Sequence, residues 1–329
     1  MRVVFMGTGE IAIPTLRHLL DLHDRREIEL AAVYTQPDKP VGRKQILTPP
    51  EVKRIAEERG IAVRQPERLR GDEAAIAEFA AFAPDLAVVM AYGQILPKAL
   101  IRIPAMACVN LHASILPRHR GASPIQSAIR AGDSESGITL MHVSPRLDAG
   151  DIILIRSFPI APEETGGSLH DRLAALGPEV IHEGIERFRS GTADRTVQDE
   201  SLVTHSGKLE RADGEIDWSQ PAESIERLVR AYDPWPGTTT GCRTGEEWRR
   251  LKLYPPVAVV VSTAPGAAPG EVIAAGDRLV VQCGEGALEL RGDLQQEGRR
   301  RLPVAEFLRG SPIPVGTLLG RDDSGKIAL

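Results

Sequence analysis

Through the first half of the chain the apolar positions form short unbroken runs, and between the runs they recur every three or four residues. Arg2–Met6, Ile28–Tyr34, Asp85–Met90 and Ala105–Val109 are the runs, each read as a strand, the last two as buried strands. Between them, Leu16, Leu19 and Leu20 behind Pro14, then Val52, Ile55 and Ala56 within Glu51–Arg59, and the stretch Asp72–Ala83 predict helices. Val63 begins a further short extended segment. Ser123 as N-cap with Pro124 at the first helical position predicts a helix whose Ile125, Ala128 and Ile129 face inward. Gly137–Val143 and Asp151–Phe158 read as two more strands paired with each other. Ser168–Arg189 reads as a helix that Gly177-Pro178 is expected to kink or divide. Strands alternating with helices in this way predict an α/β fold with a Rossmann-like, mainly parallel sheet.

The rhythm changes after position 189. Ser190–His205 is polar and lacks periodicity, so residues 190–207 are expected to be a linker. From Lys208 onward short alternating segments such as Ala287–Arg291 sit among glycine-rich turns, including Gly284-Glu285-Gly286, and predict a small C-terminal β-barrel. The expected organisation is therefore a domain at 1–189, the linker, and a second domain at 208–329. A chain of 329 residues is long enough to give each domain its own core.

Charge narrows the range of partners. The formal net charge is −5, which argues against a general polyanion binder, so any nucleic-acid contact is expected from a local patch such as Arg249, Arg250 and Lys252, or Arg299–Arg301. Cys108, Cys242 and Cys283 are odd in number and far apart, a pattern of neither a disulfide framework nor a zinc site. With neither a charged leader and apolar core ahead of the first strand nor an apolar stretch of membrane-spanning length, a cytoplasmic location is expected.

Candidate chemistry gathers where the Ala105–Val109 run ends. Asn110 and His112 are two apart in an extended segment, so an amide and an imidazole point to one face at the carboxyl edge of a sheet, where open α/β folds hold ligands. Arg146-Leu147-Asp148-Ala149-Gly150-Asp151 is a turn between apolar segments that supplies a carboxylate, and on the residues alone Asp148 and Asp151 compete for that part. His112, His119 and His142 lack a zinc-ligand spacing, and no metal is expected. Gly7-Thr8-Gly9-Glu10-Ile11-Ala12 imitates a dinucleotide fingerprint, with Ala12 for the third glycine, and leaves a nicotinamide oxidoreductase as one alternative. Thr35 and Gln36 stand where a ribose-binding acid belongs, which weakens that alternative in favour of a plain tight turn.

Asn110-Leu-His112, Ser114-Ile-Leu-Pro117, Arg120-Gly121, Pro124-Ile-Gln126 and Leu147-Asp-Ala-Gly-Asp151 together resemble the signature of the 10-formyltetrahydrofolate-dependent formyltransferases. Thr204–Leu209, Glu215–Trp218 and Ala231–Pro236 resemble the members of that family whose acceptor is methionyl-tRNA, and the likeness spans essentially the whole chain. It implies Asn110, His112 and Asp148 as catalytic residues. It implies 10-formyltetrahydrofolate as formyl donor, held by Ser114, Ile115, Leu116 and Pro117 and by Met90, Ala91, Tyr92, Gly93, Gln94 and Ile95. It also implies initiator methionyl-tRNA as acceptor, an OB-like second domain that contributes to tRNA binding, and a monomer without membrane contact. Within the long Gln36–Pro50 loop, Lys39, Arg43 and Lys44 become candidates for tRNA phosphate contacts. A relative that formylates a sugar amine or hydrolyses the folate is the alternative within the same chemistry. The chain departs from the family pattern at Gly9, where proline is expected, at His119, where Trp or Tyr is common, and at Ser123, where Ala is usual.

Overall fold

The computed structural model describes residues 1–42, 44–244, 247–262 and 264–320. The chain forms two compact units. The first comprises Met1–Pro124, Glu135–Pro159 and His170–Ser206, and the second Ile125–Ser134, Ile160–Leu169 and the chain from Gly207 onward.

In the first unit β1 (Arg2–Gly7), α1 (Ile13–Asp24), β2 (Glu29–Tyr34), β3 (Lys39–Val41), β4 (Ile46–Thr48), α2 (Glu51–Glu58), β5 (Val63–Arg64), α3 (Glu73–Ala81), β6 (Leu86–Met90), α4 (Lys98–Ile101), β7 (Ala107–His112) and β8 (Arg120–Gly121) follow in order. After α5 (Pro124–Ala131), which from Ile125 on belongs to the second unit, come β9 (Glu135–His142), β10 (Ile152–Pro159), α6 (Gly166–Ser190), which belongs to the first unit from His170 on, and β11 (His205–Ser206). Seven strands make one sheet in the order β10-β9-β7-β6-β1-β2-β5. From β7 to β5 all neighbours are parallel, and β9 and β10 extend the sheet with antiparallel pairings. The expected mainly parallel sheet is thus present, and Val3, Val4, Phe5, Leu86, Ala87 and Val88 in its centre are fully buried, as unbroken apolar runs require.

From β1 the chain builds outward to β2 and β5 on one side and to β6 and β7 on the other, which opens a crevice at the carboxyl ends of β1 and β6, where Gly7 lies opposite Met90. Its glycines serve packing. A Cβ on Gly7 would stand 2.7 Å from the Phe5 ring and 3.0 Å from the Met90 carbonyl, and one on Gly9 would stand 3.2 Å from Ala91 Cβ. This favours the tight-turn reading of Gly7–Ala12 over a pyrophosphate cradle.

Three expectations are refined. The Gln36–Pro50 stretch, expected as an irregular loop, contains a two-stranded antiparallel hairpin of β3 and β4, exposed throughout and presenting Val41, Ile46 and Leu47 to solvent. Positions 190–206, expected as part of a linker, belong to the first unit, and β11 pairs in parallel with β8. Helix α6 runs unbroken through Gly177-Pro178. Its inward face continues past the proline with buried Val180, Ile181 and Ile185, and that packing outweighs the hydrogen bond proline removes.

The second unit is β-rich. It contains α7 (Ala222–Ala231), β12 (Thr238–Thr244), β13 (Glu247–Leu253), β14 (Val257–Val260), β15 (Val272–Ala274), β16 (Leu279–Gln282), β17 (Ala287–Leu290), β18 (Asp293–Gln296), β19 (Leu302–Pro303), α8 (Val304–Gly310) and β20 (Leu319–Gly320). A five-stranded sheet, β19-β18-β13-β12-β20, and a four-stranded sheet, β14-β17-β16-β15, enclose a core that includes Trp218, Ile225, Leu251, Leu288 and Phe307. Among the described residues these remain two antiparallel sheets and do not close into a barrel. Buried Trp218 donates from Nε1 to Thr240 Oγ1 at 2.9 Å, so its one polar atom is satisfied.

Gly177 packs α6 against α1, since a Cβ there would fall 2.3 Å from Thr15 Oγ1. In an open helix Gly→Ala stabilises by about 1 kcal/mol, whereas forcing a methyl into a packed contact costs about 1–3 kcal/mol. Gly177→Ala is therefore expected to lower the urea midpoint of unfolding, and a raised midpoint would show that the two helices separate freely.

Candidate active site

Strand β7 carries Asn110 and His112 to the sheet edge, registered against Met141 and Thr139 of β9. Asn110 is half-buried, and among the described residues its side-chain amide makes no hydrogen bond. His112 is only 6% exposed. Its Nε2 lies 3.0 Å from the His119 carbonyl, which only accepts, so Nε2 carries a proton. Nδ1 then faces Asp148 Oδ2 at 3.7 Å, too long for a direct hydrogen bond. The same Oδ2 accepts from the Gly121 amide at 2.9 Å. Among the described residues the carboxylate that faces His112 is that of Asp148, while Asp151 uses its carbonyl to accept from His142 N at 2.9 Å.

The loop after β7 is held by its own polar groups. Ser114 Oγ donates to Arg118 O at 2.7 Å, Thr139 Oγ1 donates to Ser114 O at 2.7 Å and accepts from Leu116 N at 3.1 Å. His119 has φ +58°, and its amide donates to Thr204 Oγ1 at 2.8 Å. Gly121 has φ +124°, and a Cβ there would lie 2.1 Å from the Ser206 carbonyl. Glycine at 121 thus meets two requirements, a left-handed backbone and close passage of β11. Arg120 is 3% exposed; its guanidinium donates to Gln198 Oε1 at 2.7 and 3.0 Å and to Glu200 Oε1 at 3.0 Å. Gln198 Nε2 in turn donates to the carbonyls of Asp148 at 2.9 Å and Gly150 at 2.7 Å.

The residues expected to hold folate divide by accessibility. Ala91 (φ +48°) and Gly93 (φ +85°) turn an exposed backbone at the end of β6, Ile95 is 73% exposed, and Ile115 and Pro117 are half-buried. Met90, Tyr92, Ser114 and Leu116 are buried and back the accessible ones. Tyr92 presents its carbonyl, which accepts from Thr8 Oγ1 at 3.0 Å and Gln36 Nε2 at 3.2 Å. The Gln94 amide is engaged with Pro66 O and Leu69 N at 2.9 Å each.

Lys39 and Lys44 are exposed on the β3–β4 hairpin, and Arg43 lies outside the described residues. At the hairpin root Asp38 accepts from Gln65 Nε2 at 2.7 Å and Lys53 Nζ at 3.1 Å, and these bonds hold its carboxyl below the usual range. In the second unit Arg250 and Lys252 alternate with Arg249 along β13, so the three do not share one face of the strand. Arg301 is tied to Asp293 at 2.6 Å. Among the described residues no three His, Cys, Asp or Glu side chains are grouped to hold a metal, and no helix is long and apolar enough to cross a membrane.

Gln198, Thr204 and Ser206, in a segment without periodicity, and Thr139, inside a strand, are supports that pattern reading passed over. Nothing in their spacing marks them, because each acts through a partner distant in sequence.

Residues 1–185 match the formyl transferase family, and residues 208–312 match the formyl transferase C-terminal domain. The chain belongs to the formyl transferase family. It is 50% identical over 95% of its length to a methionyl-tRNA formyltransferase of Akkermansia muciniphila, covering 97% of that protein. Its fold resembles HypX of Aquifex aeolicus in complex with tetrahydrofolic acid, with a TM-score of 0.59 at 21% identity over 96% of this chain; the chain spans 48% of that protein. The N-formyltransferase of Helicobacter canadensis, in complex with folinic acid and dTDP-3-aminofucose, has a TM-score of 0.60 at 16% identity, over 88% of this chain and 98% of its own.

His142 adds a titrating group behind the site. Burial pulls it down to about 4, Arg195 adds to the effect, and Asp151 opposes it. Among the described residues its Nε2 is buried without a hydrogen-bond partner. Between about pH 4 and 6.5 the unfolded chain binds this proton and the folded chain does not, so the contribution is full above 6.5 and is lost as pH falls toward 4. His142→Gln is expected to flatten the rise of unfolding free energy across that window; an unaltered slope would assign acid sensitivity to other groups. Gly121→Ala, measured by urea unfolding, is expected to destabilise by about 2–4 kcal/mol through steric and backbone strain together, with Ser206 displaced. An unchanged midpoint would mean that β8 and β11 part without cost.

Proposed function

We propose that this protein transfers the formyl group of 10-formyltetrahydrofolate to the free amino group of methionine on initiator methionyl-tRNA, acting in the cytoplasm as a monomer. The observation that carries this reading is the convergence of an uncommitted Asn110 amide with the His112–Asp148 pair at the carboxyl edge of the sheet. Full-length likeness to a methionyl-tRNA formyltransferase supports the choice of acceptor.

Acyl transfer to an amine makes three demands, and the first two have residues to meet them. As the amine nitrogen bonds to the formyl carbon, charge collects on the formyl oxygen, and the Asn110 amide is the donor placed to receive it. The amine must lose a proton. The 3.7 Å gap between His112 Nδ1 and Asp148 Oδ2 is one that an entering amine or water bridges, with Asp148 as acceptor and His112 as a second donor to the oxyanion in its cationic form. The carbon–nitrogen bond to the folate then breaks, and the proton moves to the departing nitrogen. No serine or cysteine nucleophile is required: Ser114 Oγ donates to Arg118 O, and burial pushes the Cys108 thiol up to about 12.

The donor suits the turn at Ala91–Ile95, where exposed peptide groups match the alternating donors and acceptors of a pterin edge and Ile95 offers an apolar face. Lys39 and Lys44 contribute phosphate contacts from the hairpin, Arg43 is a third candidate by its sequence position, and the domain at 208–329 adds to tRNA binding. The catalytic domain at 1–189, with residues 190–206 in the same compact unit as its strands, carries the chemistry.

The test is transfer of labelled formyl from 10-formyltetrahydrofolate to charged initiator tRNA. Asn110→Ala is expected to cost about 10²–10³ in kcat, and His112→Ala and Asp148→Ala about 10²–10⁴. Turnover of the folate without transfer to tRNA would move the acceptor to a sugar amine or to water and retain the trio.

A further inference from the structure

From the geometry we infer that Gln198 is a positioning residue for the transfer reaction, holding Asp148 opposite His112 through the backbone of its turn. The inference rests on the proposed roles of Asp148 and His112 and adds a residue outside the family signature, in a stretch expected to be a linker.

Gln198 is 5% exposed and uses its whole hydrogen-bonding capacity within one cluster. Its two amide hydrogens go to the carbonyls of Asp148 and Gly150, and its oxygen accepts two guanidinium hydrogens from Arg120. Asp148 itself sits at φ +48°, a region that a non-glycine residue keeps only where its surroundings over-determine it. The side-chain bond from Gly121 N fixes one end of the residue, and the Gln198 amide fixes its carbonyl. Gly150 is held equally closely, since a Cβ there would fall 1.7 Å from the His142 carbonyl. Gln198 therefore joins the two loops of the site, one ending at Arg120 and Gly121 and the other at Asp148 and Gly150. Among the described residues it makes no hydrogen bond to His112 or to the Asp148 carboxylate, so its effect passes through position.

A shift of about 1 Å at a reacting group costs on the order of 10² in rate. Gln198→Leu removes both ends of the bridge. Gln198→Glu keeps an acceptor for Arg120 but places oxygens against the carbonyls of Asp148 and Gly150, and it serves as the second variant should the first fail to fold. In the full-length protein each folded variant is expected to lose about 10- to 100-fold in kcat while KM for 10-formyltetrahydrofolate and for charged tRNA stays within about two-fold. Thermal melting confirms which variants are folded. A folded variant with parental kcat, or a loss carried by KM, overturns the inference.

Amide exchange at Gly121, followed by NMR without substrate, separates this inference from the functional reading. The Gly121 amide donates to Asp148 Oδ2 and is expected to exchange faster in Gln198→Glu than in the parent. Should the parent transfer no formyl to tRNA, the functional reading fails and the exchange rates still decide the placement. Equal Gly121 exchange in parent and variant overturns it.

Discussion

The hydrogen bond from the Gly121 amide to Asp148 Oδ2 is the constraint on which the site depends. It joins a loop that begins at the end of β7 to a turn that lies between β9 and β10, and the two residues it links are half-buried. Buried polar groups must find partners. The loop meets this with the Thr204 and Ser206 hydroxyls and with the β8–β11 pairing, and the turn meets it with Gln198. Three segments distant in sequence therefore have to be in place before one carboxylate faces one imidazole. The arrangement suits chemistry that needs fixed donors and acceptors at the moment charge develops.

Left-handed backbone marks several of these places. Ala91, His119 and Asp148 are non-glycine residues with positive φ, and each lies in a turn at the sheet's carboxyl edge. Such conformations persist where packing and hydrogen bonds over-determine them. Ala91 is followed by the Tyr92 carbonyl, anchored by Thr8 and Gln36 from the ends of β1 and β2. Gln36 also stands just before the β3–β4 hairpin, whose root is tied by Gln65 and Lys53. The turn expected to meet the pterin and the hairpin expected to meet tRNA thus share one hydrogen-bonded base.

Family membership and side-chain geometry carry different parts of the account. The matches across 1–185 and 208–312 establish the family for both halves of the chain. The departures at Gly9 and His119 are accommodated locally. Gly9 allows its turn to lie against Ala91, and His119 keeps its ring buried while its carbonyl orients His112. Neither change removes a group that acyl transfer requires.

The sequence by itself determined the sheet, because strands buried on both faces must be unbroken apolar runs and helices on its faces must carry apolar residues at helical spacing. Arg2–Met6, Asp85–Met90 and Ala105–Val109 were legible for that reason, and so was the placement of Asn110 and His112 on one face of a strand end. Asp148 was readable through the family motif, though the residues alone left it level with Asp151. Only the tertiary structure shows which carboxylate approaches His112, and among the described residues it is that of Asp148. It also decided that residues 190–206 pack into the first unit, that α6 continues through Pro178, and that among the described residues the second unit's strands form two sheets. Each of these turns on partners far apart in the chain, and a local hydrophobic pattern records burial without recording which distant group provides it.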